Sequence, residues 1–249
     1  MTNDDIVSDY TNYDYKKIFW EDGDREYEDK ADRLAISRLL PAKAGVFVDV
    51  AGGYGRLADE YLNRGYTKVV VFDYSATLLE QAKELRGDAV TTVQGDIYDL
   101  PFEAGSVDAL MMIRATHHFA DIQKVSDQLA KILSPQGTAV IEVANKRTVV
   151  KMARYLLRKS DVNPFSYDTV TLKDLNDKGF FNYSPKYIED VFHKSGFVID
   201  KVLSVSNLRS GFLKKILPVK VRLAIESPLQ FVFAPLRFGP STYYRLKKK

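Results

Sequence analysis

The chain has 249 residues, 45% of them hydrophobic and 28% charged, which is typical of a globular protein with a sizeable core. It contains no cysteine, which excludes disulfides, thiolate metal ligands and a cysteine nucleophile. The net charge is only +3, but residues 207–249 hold ten Lys or Arg and one acid, Glu226, so the remainder is acidic. We expect this asymmetry to affect the choice of partners rather than the fold.

The N-terminus, MTNDDIVSDYTNYDY, is polar and acidic, which is unlike a signal peptide. No apolar run approaches the roughly 20 residues that a membrane span needs. We therefore expect a cytoplasmic protein. Residues 1–30 are predicted to form an N-terminal extension, in which Tyr10, Tyr13, Phe19 and Trp20 either form a flap over a ligand or pack as a helix.

Strand-like and helix-like segments alternate along the first 145 residues. The strand-like runs are continuous in Val, Ile and Phe, which is typical of strands covered on both faces, and their alternation with helices predicts a parallel sheet. This pattern indicates an α/β, doubly wound domain. The predicted strands are 46–50, 68–72, 89–93, 107–113 and 138–143, and the predicted helices are 30–40, 56–63, 76–85 and 121–133.

The alternation is looser after residue 145. Residues 146–159 are predicted to be helical and basic, and residues 161–183 irregular. Ser184 and Pro185 are typical of a helix start, and Gly196 of its exit. A sixth strand is predicted over 197–205 and a seventh, at the sheet edge, over 241–247, with a long insertion before it.

A turn almost without side chains follows the first strand. The sequence DVAGGYGR begins at Asp49 and contains Ala51, Gly53 and Gly55. Such a backbone can turn sharply and approach a phosphate or nucleoside closely. Residues 53–58, GYGRLA, also satisfy the dinucleotide pattern G-x-G-x-x-A. The alternative is a tight strand-to-helix turn without a ligand.

Acidic residues stand at the ends of the next two strands. Asp73 is placed to hold the ribose hydroxyls of a dinucleotide or of S-adenosylmethionine. Asp96 can accept a hydrogen bond from an adenine amino group, and Ile97 can cover the ring. Ligands of open α/β sheets bind beyond the carboxyl ends of the strands, so we expect these residues to share one site with Arg114, after the fourth strand.

In this order, the motifs resemble those of the class I S-adenosylmethionine-dependent methyltransferases, over about residues 30–205. Residues 49–55 resemble the family's D-x-G-x-G-x-G, Asp73 its ribose-binding acid, and residues 95–97 its adenine-binding turn. Residues 134–137 resemble its L-x-P-G-G turn, with Gln136 in place of one glycine. Ala51 replaces the first glycine, as in the quinone-biosynthesis C-methyltransferases, which share D-x-A-G-G-x-G.

The resemblance implies a Rossmann-like, mostly parallel seven-stranded sheet whose last strand is antiparallel. It implies a methyltransferase domain over residues 31–249, with helical lid insertions at about 146–184 and 207–239. It also implies S-adenosylmethionine as the cofactor. The implied cofactor-binding residues are Asp49, Ala51, Gly53, Gly55, Asp73, Tyr74, Asp96, Ile97, Ile113 and Arg114.

Few residues indicate the chemistry beyond the cofactor. Methyl transfer from an activated sulfonium needs a positioned acceptor and at most a proton acceptor. His117, after the fourth strand, is either that general base or a packed histidine at a helix start. No set of acids and histidines has the spacing of a metal site, so none is expected.

The acceptor is predicted to be a small apolar or amphiphilic molecule. Residues 207–239 mix apolar side chains with Lys214, Lys215 and Lys220, which predicts either a peripheral contact with the inner face of an anionic membrane or a packed lid helix. DNA is not expected, because IRATHH stands where amino-directed enzymes have N/D-P-P-Y/F, and the acidic body disfavours RNA. A nicotinamide-dependent oxidoreductase, a non-catalytic cofactor-binding protein and an RNA methyltransferase stay open as alternatives.

Overall fold

The computed structural model describes residues 16–173 and 179–249, and Tyr10 and Tyr13 of the predicted flap lie outside them. The described chain contains two sheets and eight α-helices. The strands are β1 (Val46–Val50), β2 (Lys68–Asp73), β3 (Thr91–Gln94), β4 (Val107–Met112), β5 (Leu133–Ala144), β6 (Val170–Lys173), β7 (Gly179–Asn182), β8 (Phe197–Val205) and β9 (Ser241–Lys248). The helices are α1 (Glu26–Leu39), α2 (Asp59–Leu62), α3 (Ala76–Arg86), α4 (Ile122–Ile132), α5 (Val149–Leu156), α6 (Pro185–Lys194), α7 (Gly211–Ile216) and α8 (Val219–Val232).

The main sheet has seven strands in the order β3-β2-β1-β4-β5-β9-β8. The strands β1 to β5 pair in parallel, and β9 pairs antiparallel with both β5 and β8. This arrangement confirms the predicted mostly parallel sheet with an antiparallel last strand. The predicted edge position of that strand is wrong, because β8 forms the edge and β9 lies inside the sheet, where Tyr243 and Tyr244 are fully buried.

Both faces of the sheet are covered, as the continuous apolar strands predict. One core cluster includes Ile36 of α1, Leu79 of α3 and Tyr243 of β9. The other includes Leu129 of α4 and Phe192 of α6. The parallel strands therefore share two hydrophobic layers, which leaves their carboxyl ends as the open edge of the domain.

Three segments differ locally from the sequence-based expectation. Only Asp59–Leu62 is α-helical within the predicted helix 56–63, because turns occupy the residues before it. The helix α1 begins earlier than predicted, at Glu26, where an acidic first turn complements the helix dipole. The region 161–183, predicted to be irregular, contains the antiparallel pair β6 and β7.

The two helices of the segment 207–239 are packed differently. In α8, Glu226 accepts hydrogen bonds from the Tyr27 hydroxyl of α1 (2.7 Å) and from the Ser206 N–H (2.8 Å). Gln230 donates to the carbonyl of Ala31 over 3.1 Å. The helix α8 thus belongs to the layer that covers the sheet, whereas α7 has no buried residue. Among the described helices, none combines the length and the apolar character that crossing a bilayer requires.

Candidate functional site

A cavity opens at the carboxyl ends of the parallel strands, where ligands of such sheets bind. The tips of β1, β2, β3 and β4 each contribute to its wall, and the N-terminal segment adds one side chain. The lining residues are Trp20, Asp49, Ala51, Gly52, Gly53, Tyr54, Arg56, Leu57, Phe72, Asp73, Tyr74, Leu78, Gly95, Asp96, Ile97, Ile113, Arg114, Ala115, His118 and Phe119.

The turn after β1 forms one wall of this cavity. Gly53 has a φ of +55°, a conformation that favours glycine, and a Cβ added there would be no closer than 3.6 Å to Leu78. The backbone conformation therefore favours glycine at this position, and the space beside it is open. Ala51 adopts a similar φ of +53° in spite of its Cβ, which places strain in the turn.

Asp73 fixes this turn to the end of β2. Its Oδ2 accepts the N–H of Gly53 over 2.8 Å, and its Oδ1 accepts the N–H of Ser75 over 2.9 Å. Burial raises the pKa of Asp73, and these two backbone hydrogen bonds oppose that rise. A carboxylate offers about four acceptor sites, so acceptor capacity remains for a ligand hydroxyl at the cavity wall.

Two further acids complete this side of the cavity. Burial raises the pKa of Asp49 to about 7, and the charge of Asp73 contributes to the rise. A Cβ at Gly52 would lie only 2.7 Å from the carboxyl carbon of Asp49, so glycine is needed there for space. Asp96 lines the cavity and accepts the N–H of Tyr98 through Oδ1 over 2.9 Å.

Arg114, at the tip of β4, is held by a buried network. Its N–H donates to Glu142 over 3.1 Å, and its guanidinium donates to the two oxygens of Asp32 over 2.9 and 3.2 Å. Asp32 is fully buried and also accepts from Arg56 (3.0 Å) and from the Tyr243 hydroxyl (2.7 Å). Burial acts to raise the pKa of Asp32, but the two guanidinium groups outweigh it and hold the pKa below its usual value.

The same network reaches the N-terminal segment. The guanidinium carbon of Arg56 lies 3.6 Å from the centroid of the Trp20 ring, which is a close cation–π contact. Trp20 is the single tryptophan of the sequence and lines the cavity. Asp32 therefore supports, through Arg56, the aromatic side chain that the sequence suggested as part of a flap.

Of the two adjacent histidines, His118 lines the cavity, and His117 is not among the lining residues. Their ring centroids are 4.1 Å apart, and both rings lie near Phe180, at 5.4 and 5.2 Å. Burial lowers the pKa of His117 well below its usual value, and the charges of His118 and Arg114 lower it further. The imidazole of His117 is therefore neutral at pH 7.

Nine of the ten residues predicted to bind a cofactor line this one cavity, and Gly55 does not. The φ of Gly55 is +69°, and a Cβ there would contact Ala82 of α3 at 3.8 Å, so this residue shapes the turn. Sequence reasoning missed Asp32 and Arg56. Asp32 is 82 residues from Arg114 along the chain, and no local pattern links them. Within residues 16–173 and 179–249, no group of three or more acids and histidines could hold a metal ion.

Comparison with known proteins gives a consistent result. The family model described as a methyltransferase domain matches residues 48–141, which include the turn, Asp73 and Asp96. A demethylmenaquinone methyltransferase of Lactococcus lactis is 30% identical over 142 residues, which cover 53% of this chain and 56% of that protein. The biotin biosynthesis bifunctional protein BioHC of Cellvibrio japonicus is 28% identical over 107 residues, which cover 43% of this chain and 21% of that protein.

Solved structures extend the likeness to nearly the whole chain. A Listeria monocytogenes structure described as an S-adenosylmethionine-dependent methyltransferase has a TM-score of 0.65, with 17% identity, and covers 88% of this chain and 98% of its own. A Haloferax volcanii methyltransferase chain, solved with the Trm112 activator, has a TM-score of 0.63, with 19% identity, and covers 98% and 96%. These structures share the fold. The first curated relatives are matched over only 21% to 56% of their own length.

Proposed function

We propose that this chain is a class I S-adenosylmethionine-dependent methyltransferase and that it transfers a methyl group to a small apolar or amphiphilic acceptor; the methyltransferase-domain match over residues 48–141 and the similarity to the Lactococcus lactis relative support this. The observation that carries the proposal is the convergence of the glycine turn, Asp73 and Asp96 on a single cavity. The cavity fits the cofactor, since the open side of Gly53 admits a close ligand and Asp73 keeps acceptor sites for hydroxyls.

In this proposal, the residues of the β1–β3 side hold the cofactor. Gly53 lets the backbone come close, Asp73 accepts from ribose hydroxyls, and Asp96 and Ile97 hold the adenine. The backbone near Ile113 and Arg114 offers groups to the methionine part. When bound, S-adenosylmethionine supplies a methyl group on an activated sulfonium, so the protein has only to orient the acceptor and exclude water.

The class of acceptor is supported by the remaining wall of the cavity. Beyond the three acids on the β1–β3 side, the wall is largely apolar, with Trp20, Leu57, Ala115 and Phe119 among its residues. The guanidinium of Arg114 is engaged by Asp32. An apolar acceptor gains most from such a wall. The name of the Lactococcus lactis relative, demethylmenaquinone methyltransferase, agrees with this class.

We propose that the histidine pair acts as the general base when the atom that is methylated loses a proton. His117 is neutral at pH 7 and lies in ring contact with His118, which lines the cavity. We expect His118→Ala and His117→Ala to lower methyl transfer while leaving cofactor affinity unchanged. Equal rates in both variants and in the wild type would remove the pair from the reaction.

The first experiment distinguishes this proposal from a nicotinamide-dependent enzyme. We expect S-adenosylhomocysteine, but not NAD, to raise the melting temperature. The emission of Trp20 should change over the same range of S-adenosylhomocysteine concentration, because Trp20 lines the cavity. Stabilisation by NAD alone would reverse the assignment, and stabilisation without a change in Trp20 emission would place the ligand elsewhere.

The second experiment tests the acceptor. The protein is incubated with methyl-labelled S-adenosylmethionine and fractionated lysate, and lipid-soluble and aqueous products are counted separately. We expect label in the lipid-soluble fraction, and no label with Asp73→Ala. Label confined to the aqueous fraction would contradict an apolar acceptor, and tight cofactor binding without any transfer would indicate a non-catalytic protein.

A further inference from the structure

The helix α5 turns its apolar face toward solvent. Its residues Val149, Val150 and Leu156, and Leu157 directly after it, are between 49% and 71% exposed, and none of its eight residues is buried. On a helix these four positions fall on one side, because Val150, Leu156 and Leu157 follow Val149 by one, seven and eight residues. Lys151, on the other side, is partly covered by the protein. A surface helix of a globular domain normally has the opposite orientation.

The short helix α7 shows the same reversal. Phe212 and Ile216, four residues apart, are 70% and 54% exposed, and no residue of α7 is buried. Lys214 instead turns toward the domain, where its Nζ lies 3.6 Å from carboxylate oxygens of Asp24 and Glu28. We call the exposed side chains of both helices the outer apolar face, which consists of Val149, Val150, Leu156, Leu157, Phe212 and Ile216.

The segments that lead into α5 and α7 both begin at the cavity end of the sheet, because Ala144 at the end of β5 and Val205 at the end of β8 both pair with Ser241 of β9. Burial lowers the pKa of Lys151 on α5, and the charge of Arg209, two residues before α7, lowers it further. Arg209 in turn lies close enough to Arg114 and Glu142, at the strand tips, for their charges to affect its own pKa. The segments that carry α5 and α7 therefore leave the sheet at the same edge as the cavity.

The two segments that carry the outer apolar face are basic. Residues 146–160 contain six Lys or Arg and no acid, and residues 207–222 contain five and no acid, whereas the rest of the chain is net negative. Apolar side chains bordered by cations complement anionic headgroups above acyl chains.

A second copy of this chain fits poorly on this face, since pairing the face with itself would bring like charges together. Exposed leucines and valines are also of little use on a nucleic acid, which is bound through phosphates and stacked bases.

We propose that the outer apolar face docks this chain on an anionic lipid bilayer, with the cavity beside the contact. The outer apolar face enters the boundary between headgroups and acyl chains, and the exposed Lys and Arg of the two segments, such as Arg154, Arg158 and Lys215, contact the headgroups. The entry of an apolar acceptor from that bilayer rests on the proposed function, whereas the docking itself does not.

The test is co-sedimentation of the full chain with vesicles. One set contains phosphatidylcholine alone, and the other contains equal amounts of phosphatidylcholine and phosphatidylglycerol. We expect strong binding to the second set, weak binding to the first and a loss of binding at high salt. Equal binding to both sets, or binding to neither, overturns the proposal.

Variants locate the contact. The double substitution Leu156→Ser with Leu157→Ser should lower the vesicle partition coefficient by about tenfold or more, because it removes apolar side chains from the contact. The pair Arg154→Gln with Arg158→Gln should lower it roughly tenfold and reduce its salt dependence. The matched control is Leu85→Ser on α3, an exposed leucine (47%) remote from the face, which should bind as the wild type does.

Two further measurements separate the possible outcomes. A wild-type dimer in sedimentation equilibrium that the Leu156→Ser, Leu157→Ser variant abolishes would assign the face to a second copy and overturn the bilayer. The melting-temperature rise with S-adenosylhomocysteine is recorded for the same samples. A rise without vesicle binding refutes docking alone, and vesicle binding without a rise counts against the proposed function alone.

Discussion

The two sides of the cavity are constructed in different ways. On the β1–β3 side, Asp73 and Asp96 end or follow their strands and bind backbone N–H groups of the turn or of nearby residues. On the β4–β5 side, Arg114 is positioned by Asp32 of α1 and Glu142 of β5. One side is local in sequence, and the other is a junction of distant segments. We therefore expect the first to govern ligand binding and the second to govern stability.

The largest expected effect is on the junction. Asp32→Ala leaves Arg114 and Arg56 without their shared carboxylate, and breaking a buried ion pair in this way costs about 3–5 kcal/mol. We expect the free energy of unfolding in urea to fall by this amount. Tyr243→Phe, which removes one hydrogen bond to Asp32, should cost only about 1 kcal/mol. An Asp32→Ala protein of unchanged stability that no longer binds S-adenosylhomocysteine would reverse the division of roles.

The converse test concerns Asp73. Asp73→Ala removes a carboxylate from the cavity wall, and hydrogen bonds to charged groups contribute about 1.5–3 kcal/mol, so affinity for S-adenosylhomocysteine should fall roughly a hundredfold. Calorimetric titration measures this change. Asp88→Ala, an acid that is fully exposed, is the matched control and should bind as the wild type does. Unchanged affinity in Asp73→Ala would contradict the role of this side in binding.

These differences explain what the sequence could predict about the site. Gly53, Asp73 and Asp96 are recognisable because each follows a strand-like run directly, and parallel strands bring their carboxyl ends to one edge. Asp32 gives no comparable signal, because its partners Arg56, Arg114 and Tyr243 come from three other elements. Its importance arises only from burial and tertiary contact.

The fold shows the same contrast between features that a local sequence pattern predicts and features that depend on long-range contacts. The parallel strands β1, β2, β4 and β5 were predictable, since each contains a continuous apolar run and is followed by a helix, whereas β3 is short, largely polar and leads to β4 without a helix. The position of β9 was not, because local pattern does not specify which strands a distant segment pairs with. The outward direction of the apolar face of α5 could not be predicted either, because a helical pattern identifies an apolar face but not the direction in which it points.

Asp49 provides a pH test of the local side. Its pKa, raised by burial to about 7, exceeds that of an unfolded Asp, so the folded state binds the extra proton and is stabilised at low pH. This contribution is lost as the pH rises through about 7. Asp49→Asn removes the titration, so its stability relative to the wild type should increase by about 2 kcal/mol between about pH 5 and about pH 8. Urea unfolding at both pH values checks this, and a constant difference would show that Asp49 titrates normally.

The smallest expected effect concerns the strain in the turn itself. Ala51 has a φ of +53°, which costs an L-residue about 1–2 kcal/mol, whereas glycine adopts it freely but adds about 0.5–1 kcal/mol of unfolded-state entropy. Ala51→Gly should therefore raise the free energy of unfolding by up to about 1 kcal/mol. The same substitution at Ala58, whose φ is −56°, relieves no strain and should lower it by about 1 kcal/mol. If instead both variants are destabilised equally, the turn holds no strain at Ala51. If Ala51→Gly is more stable but binds S-adenosylhomocysteine more weakly, the strained alanine holds the turn in its binding conformation, and the local side of the cavity contributes to both properties.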